Sequence, residues 1–175
     1  WAAEMREITS LFINLDMQSV MEKLVMPQFT QEKNAENALY VLAAKGYSRT
    51  IIFVDVEEEG VSDAQLARSF NYLEIGTKTG YIIHRVDQIL RGGVAKKFST
   101  IKRQFDSPNP QPMAFLCVGS PDKFLVGTDL TTCDSIVVVG HIPTSLIIQS
   151  LGRIFRPNPS RRVEDIVMVK VHLAQ

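Results

Sequence analysis

Gln149, Arg153 and Arg156 are spaced at i, i+4 and i+7, so one helix face would carry an amide and two guanidinium groups together. They stand in the run Gln149-Ser150-Leu151-Gly152-Arg153-Ile154-Phe155-Arg156. Ile147, Leu151 and Ile154 fall on another face and would anchor that helix to a core. A guanidinium matches phosphate oxygens bidentately and keeps its charge near neutral pH. Two of them on one rigid element suit the stabilisation of charge during phosphoryl transfer. The competing reading is a solvated helix with two arginines on its polar face, and the octapeptide alone does not separate the two.

The surrounding pattern supplies the elements that would position these groups. Pro143 and Thr144 start the helix and Pro157 stops it. Ser135–Val139, just before, is a continuous apolar run of the kind found in strands buried on both faces of a parallel sheet. Thr50–Val54, Gly80–His84, Ala114–Val118, Lys123–Gly127 and Ile166–Val171 read the same way. Helical periodicity occupies residues 4–26, then Asn34 to Gly46, with Asn34 as cap and Gly46 as terminator. It returns from Ser62 through Leu66 and Phe70 to Leu73, and again from Val94 to Phe105. Residues 106–112 contain three prolines and form a loop. Strands alternating with helices predict a parallel α/β sheet with helices on both faces.

Bulk composition bounds the function. The chain has 175 residues, 45% hydrophobic and 22% charged, which is ample for one globular core. Its formal net charge is zero, so no global field favours nucleic acid, although a local basic patch remains compatible with that balance. No apolar run is long enough to span a membrane and no secretory pattern opens the chain, so no membrane partner is expected. Cys117 and Cys133 fit no metal or disulfide framework and read as small buried apolar residues in a reducing, intracellular compartment. His84, His141 and His172 stand in or beside strand-like runs, and no metal site is expected. The chain begins at Trp1 without an initiating Met, which leads us to expect a piece of a longer polypeptide.

Taken in order, Phe124-Leu125-Val126-Gly127-Thr128-Asp129, a buried strand, and Gln149 to Arg156 resemble the second RecA-like domain of superfamily-2 helicases and translocases. Gln149-x-x-Gly152-Arg153-x-x-Arg156 is similar to motif VI of that family, Gly127-Thr128-Asp129 to motif V, and Ile51-Ile52-Phe53-Val54 to the strand of motif IV. The resemblance covers residues 48–172. It implies a three-layer RecA-like (P-loop NTPase-like) α/β domain at 46–175, while residues 1–45 match no part of that pattern and read as an N-terminal helical segment that packs on the domain or links to it. It also implies ATP and Mg held mainly by a first RecA-like lobe, with Arg153 and Arg156 as arginine fingers and Gln149 ordering the site. Gly152 and Asp129 would adjoin the nucleotide, and Gly127 and Thr128 would touch a DNA or RNA backbone. Asp134 would stand for the Asp of a Gly-x-Asp segment whose glycine is missing here. The wording of motif VI is reminiscent of helicases from large DNA viruses. A different class remains open: a RecA-like module that binds nucleic acid or protein without chemistry.

Other features carry two readings each. Lys96, Lys97, Lys102 and Arg103 form either a basic face near nucleic acid or an exposed helix face, and Arg161 and Arg162 share that ambiguity. Gly76-Thr77-Lys78-Thr79-Gly80 has the residue types of a phosphate loop without its spacing, and reads as a surface turn. Asp55, Glu57, Glu58 and Glu59 read as a solvated acidic loop rather than a magnesium-holding strand end. With no P-loop and no DExx box, the chain alone is expected to be catalytically silent.

Overall fold

The computed structural model of the chain describes residues 28–32, 34–54, 64, 66, 70–86, 95–118, 132–140 and 167–171. In chain order these contain β1 (Gln28–Glu32), α1 (Ala35–Ala44), β2 (Arg49–Val54), α2 (Tyr72–Thr79), β3 (Ile82–Arg85), α3 (Ala95–Asp106), β4 (Met113–Val118), β5 (Ser135–Val139) and β6 (Val167–Val171). The six strands make one sheet in the order β1-β6-β5-β2-β4-β3, and every neighbouring pair is parallel.

The apolar runs explain the sheet. Burial on both faces removes the period-2 signal, so β2, β4 and β5 are almost wholly apolar and buried along their length. On one face Ile52, Val54, Ala114, Leu116, Val137, Val139, Val169 and Val171 pack with Ala35, Ala38, Leu39 and Leu42 of α1. On the other face lie Ile51, Phe53, Phe115, Ile136 and Val138. There α3 lays Phe105 against Phe115 with ring centroids 4.5 Å apart, and Phe98 adds a second ring at 6.0 Å. The domain is therefore a three-layer α/β unit with helices on both faces of a parallel sheet, consistent with a RecA-like fold.

The boundary expected at residue 46 does not follow the sheet. β1 already pairs with β6, from Gln28 against Val167 to Glu32 against Val171, and α1 packs on the shared core. The segment Gln28–Glu32 escaped recognition because Phe29 is its one large apolar residue, as an edge strand permits. The helix expected between residues 4 and 26 lies outside the described residues.

Residues 76–79 also differ from the expected surface turn: they are the second half of α2. Asn71 starts that helix by accepting from the Glu74 N–H at 3.2 Å, while its amide donates to the Glu74 carboxylate at 3.2 Å. Gly80 ends it in the left-handed conformation, with its N–H on the Gly76 carbonyl. The helix is tied to α1 by the Tyr40 hydroxyl on the Lys78 carbonyl at 2.8 Å. Gly76 is needed for a different reason: a Cβ there would lie 2.9 Å from the Tyr81 carbonyl oxygen. Gly76→Ala is expected to lower stability by about 1–3 kcal/mol, despite the better helix propensity of Ala, because the backbone must give way. A rise in the unfolding midpoint of that variant would show that α2 is free to shift.

Candidate functional site

In a parallel sheet the ligand crevice lies beyond the carboxyl ends of the strands, where the chain reverses its direction of travel across the sheet. The connections that leave the neighbours β2 and β5 run in opposite directions across the sheet, to β3 and to β6, so the crevice lies between those two strands. The steps β1 to β2 and β2 to β3 run towards the β3 edge, and the steps β3 to β4, β4 to β5 and β5 to β6 run back. The carboxyl ends of β2, β4 and β5 lie side by side, with Val54 in register with Val118 and with Val139.

Two connections leave from this edge. The one between Val118 and Ser135 contains Gly127, Thr128 and Asp129, and the one between Val139 and Val167 contains Gln149, Gly152, Arg153 and Arg156. These seven residues lie outside the described residues, as do Arg161, Arg162, Asp55 and the acidic run after it. The apolar run 123–127 is outside as well. β2 is flanked by β4 and β5, and the strand between β2 and β3 is Met113–Val118. Gly140, the first residue after β5, takes a left-handed φ of 85°, and its N–H reaches the Val171 carbonyl at 3.3 Å.

The basic cluster is divided along α3. That helix enters from the carboxyl end of β3 and delivers the chain to the amino end of β4, so positions 96 and 97 lie on its first turn towards the crevice end. Lys102 and Arg103 lie towards the opposite end, about 9 Å further along the axis. Arg103 is exposed. Lys102 is half-buried and held by Asp106 at 2.7 Å, while the other oxygen of Asp106 takes the Thr132 hydroxyl.

At the amino edge the structure contains a polar hub that sequence reading missed. Arg49, the first residue of β2, is 3% exposed. All five donors of its guanidinium reach main-chain carbonyls. Nε donates to Phe105, Nη1 to Ser48 and Gln111 at 2.8 Å each, and Nη2 to Ser107 at 3.0 Å and Asn109 at 2.6 Å. In Ser107-Pro108-Asn109-Pro110-Gln111-Pro112 each proline fixes φ and biases the residue before it. Three of the five carbonyls that converge on Arg49, those of Ser107, Asn109 and Gln111, belong to those alternate, non-proline positions. A sequence signal existed: an arginine opening an otherwise apolar strand requires a dedicated set of acceptors.

Asp134 completes the hub. Its carboxylate accepts from the Ser48 N–H at 3.0 Å, the Arg49 N–H at 3.2 Å and the Ser135 hydroxyl at 2.8 Å. Burial pushes this carboxyl above the ordinary range, against those hydrogen bonds and the nearby guanidinium of Arg49. Asp134, the residue that would stand for the Asp of a Gly-x-Asp segment, thus caps the start of β2 at the end of the sheet remote from the crevice. Burial also raises the Tyr81 phenol, whose hydroxyl donates to the Tyr47 carbonyl at 2.9 Å. Cys117 and Cys133 are buried, as expected, and the Cys133 thiol donates to the Ser135 carbonyl at 3.2 Å.

Among the described residues no group of His, Cys, Asp and Glu is arranged to hold a metal ion, and no helix is long and apolar enough to cross a membrane. No protein-family signature matches the chain, and no curated protein is significantly similar to it in sequence. The resemblance of residues 48–172 to a helicase lobe therefore stands on its own motifs.

Proposed function

We propose that this chain is the second RecA-like lobe of an NTP-dependent superfamily-2 helicase or translocase. The observation that carries the reading is one of connectivity. The connections that contain the two segments with motif-like chemistry, 127–129 and 149–156, leave from the carboxyl ends of β4 and β5, the two neighbours of the central strand. That edge is where an α/β sheet binds ligands. Arg153 and Arg156 would act across a cleft on a triphosphate and Mg held by a first lobe. Gln149, Gly152 and Asp129 would line the nucleotide side, and Gly127 and Thr128 would hold the nucleic-acid backbone.

The division of labour follows from chemistry. A guanidinium supplied when a cleft closes stabilises the charge on the transferring phosphoryl group, and closure also excludes water. DNA or RNA bound across both lobes would then be gripped differently in the open and closed states. Lys96 and Lys97, at the crevice end of α3, are better placed for such a strand than Lys102, which Asp106 holds at the far end.

The test measures NTP hydrolysis by this chain alone and by a polypeptide that joins it to a P-loop lobe, with and without single-stranded DNA or RNA. The expected result is no turnover by the chain alone and nucleic-acid-stimulated turnover by the joined form. Nucleic-acid binding with no turnover in the joined form would favour the non-catalytic module and overturn the enzyme reading.

A further inference from the structure

The hub at the amino edge continues as a line of hydroxyl groups. Asp134 Oδ1 lies 2.8 Å from Ser135 Oγ, and Ser135 Oγ lies 2.7 Å from Thr50 Oγ1. The Thr50 hydroxyl is within hydrogen-bonding reach of the Tyr81 phenol, which donates its own proton to the Tyr47 carbonyl. Every member is buried, and the line crosses from β5 through β2 to the residue preceding β3.

We propose that Asp134, Ser135, Thr50 and Tyr81 form a reversible hydroxyl relay, in which Asp134 takes up or releases one proton and the hydroxyls of Ser135 and Thr50 turn over to match. When Asp134 is ionised, Thr50 donates to Ser135 and Ser135 donates to the carboxylate. When a proton from solvent binds Oδ1, that acid donates to Ser135, Ser135 donates to Thr50 and Thr50 donates to the Tyr81 oxygen. One proton is gained, and the others only rotate about their C–O bonds. A hydroxyl both donates and accepts, so the acid is satisfied in either state without opening the sheet. The charged and titratable groups that bear on Asp134 among the described residues are the Arg49 guanidinium and the Tyr81 phenol, with the Asp106–Lys102 pair beyond Thr132.

The sign of the pH dependence follows. Burial sets the folded pKa of Asp134 above its unfolded value of about 3.9. The stability this group contributes is then present below the unfolded pKa and lost as pH rises through the folded one. The stability of the wild-type protein relative to Asp134→Asn should decline with pH across that window and then level off.

The relay itself is tested by carbon-13 NMR of the full chain, following the Asp134 carboxyl carbon and the Tyr81 ring carbon that bears the hydroxyl. In the wild-type protein both signals should titrate with one shared midpoint. In Thr50→Val, which keeps shape and loses the hydroxyl, the Tyr81 signal should stay flat while Asp134 still titrates. Thr50→Ser should restore the coupling. A Tyr81 signal that ignores the Asp134 titration in the wild-type protein overturns the relay, and that measurement stands whether or not Thr50→Val folds. Equal coupling in Thr50→Val overturns it too.

Discussion

Replacing Arg156 with Ala, in a polypeptide that joins this chain to a P-loop lobe, should slow NTP hydrolysis by about 10³–10⁵-fold while nucleotide binding survives. The asymmetry is the informative part. In the proposed cleft the first lobe holds the phosphates of the ground state, so losing Arg156 removes an interaction that matters chiefly when charge moves onto the transferring group. Turnover should fall and KM should change little. Arg156→Lys should recover only a small part of the rate, because an ammonium is a point charge without the planar fork that spans two phosphate oxygens. Arg153→Ala should show the same pattern, and the double variant should lose less than the product of the two single losses, since the two groups act as a unit. Single-turnover kinetics with a measured nucleotide Kd would check all of this. Wild-type turnover in Arg156→Ala would sink the assignment of residues 149–156.

The second large effect concerns stability. Arg49→Ala should destabilise the fold by about 2–5 kcal/mol, read from urea unfolding. Five carbonyls lose the Arg49 donor in this variant. Those of Ser107, Asn109 and Gln111 belong to a loop on the surface and can recover water. The Ser48 carbonyl keeps the Met113 N–H at 2.9 Å, but the Phe105 carbonyl stays at a buried position, where an unsatisfied acceptor costs about 1–3 kcal/mol. The guanidinium also lies 6.0 Å from the Phe105 ring centroid, a contact that is lost as well. Arg49→Lys should retain the charge and at most three of the five donors, and should fall between wild type and Ala. A change below about 0.5 kcal/mol in Arg49→Ala, the range of an ordinary surface substitution, would show that the loop finds its own solution without the clamp.

How much was legible depended on the kind of signal. The strands Arg49–Val54, Met113–Val118 and Ser135–Val139 were readable because strands buried on both faces are almost wholly apolar, and Val167–Val171 from its run of apolar residues. The helix Ala95–Asp106 and the loop after it were readable from periodicity and three prolines. α2 was not, because Gly76 and two threonines argue against a helix locally, and its support is the Asn71 cap together with contacts made only in the fold, the close approach of the Tyr81 backbone and the Tyr40 tie to α1. β1 was missed because an edge strand needs few apolar residues.

The candidate site divides in the same way. Residue types and spacing alone brought forward Gln149, Arg153 and Arg156, since helical phase is a local property of the chain. They also set the alternation of strands and helices, and with it the parallel α/β class. The strand order required the folded sheet. Pairing between Arg49–Val54 and both Met113–Val118 and Ser135–Val139 joins segments far apart in the chain, and nothing local encodes which strand lies beside which. The same non-local contacts decided that Arg49 and Asp134, unremarkable as letters, meet at the buried start of β2, where their polar groups must find partners because water does not reach them.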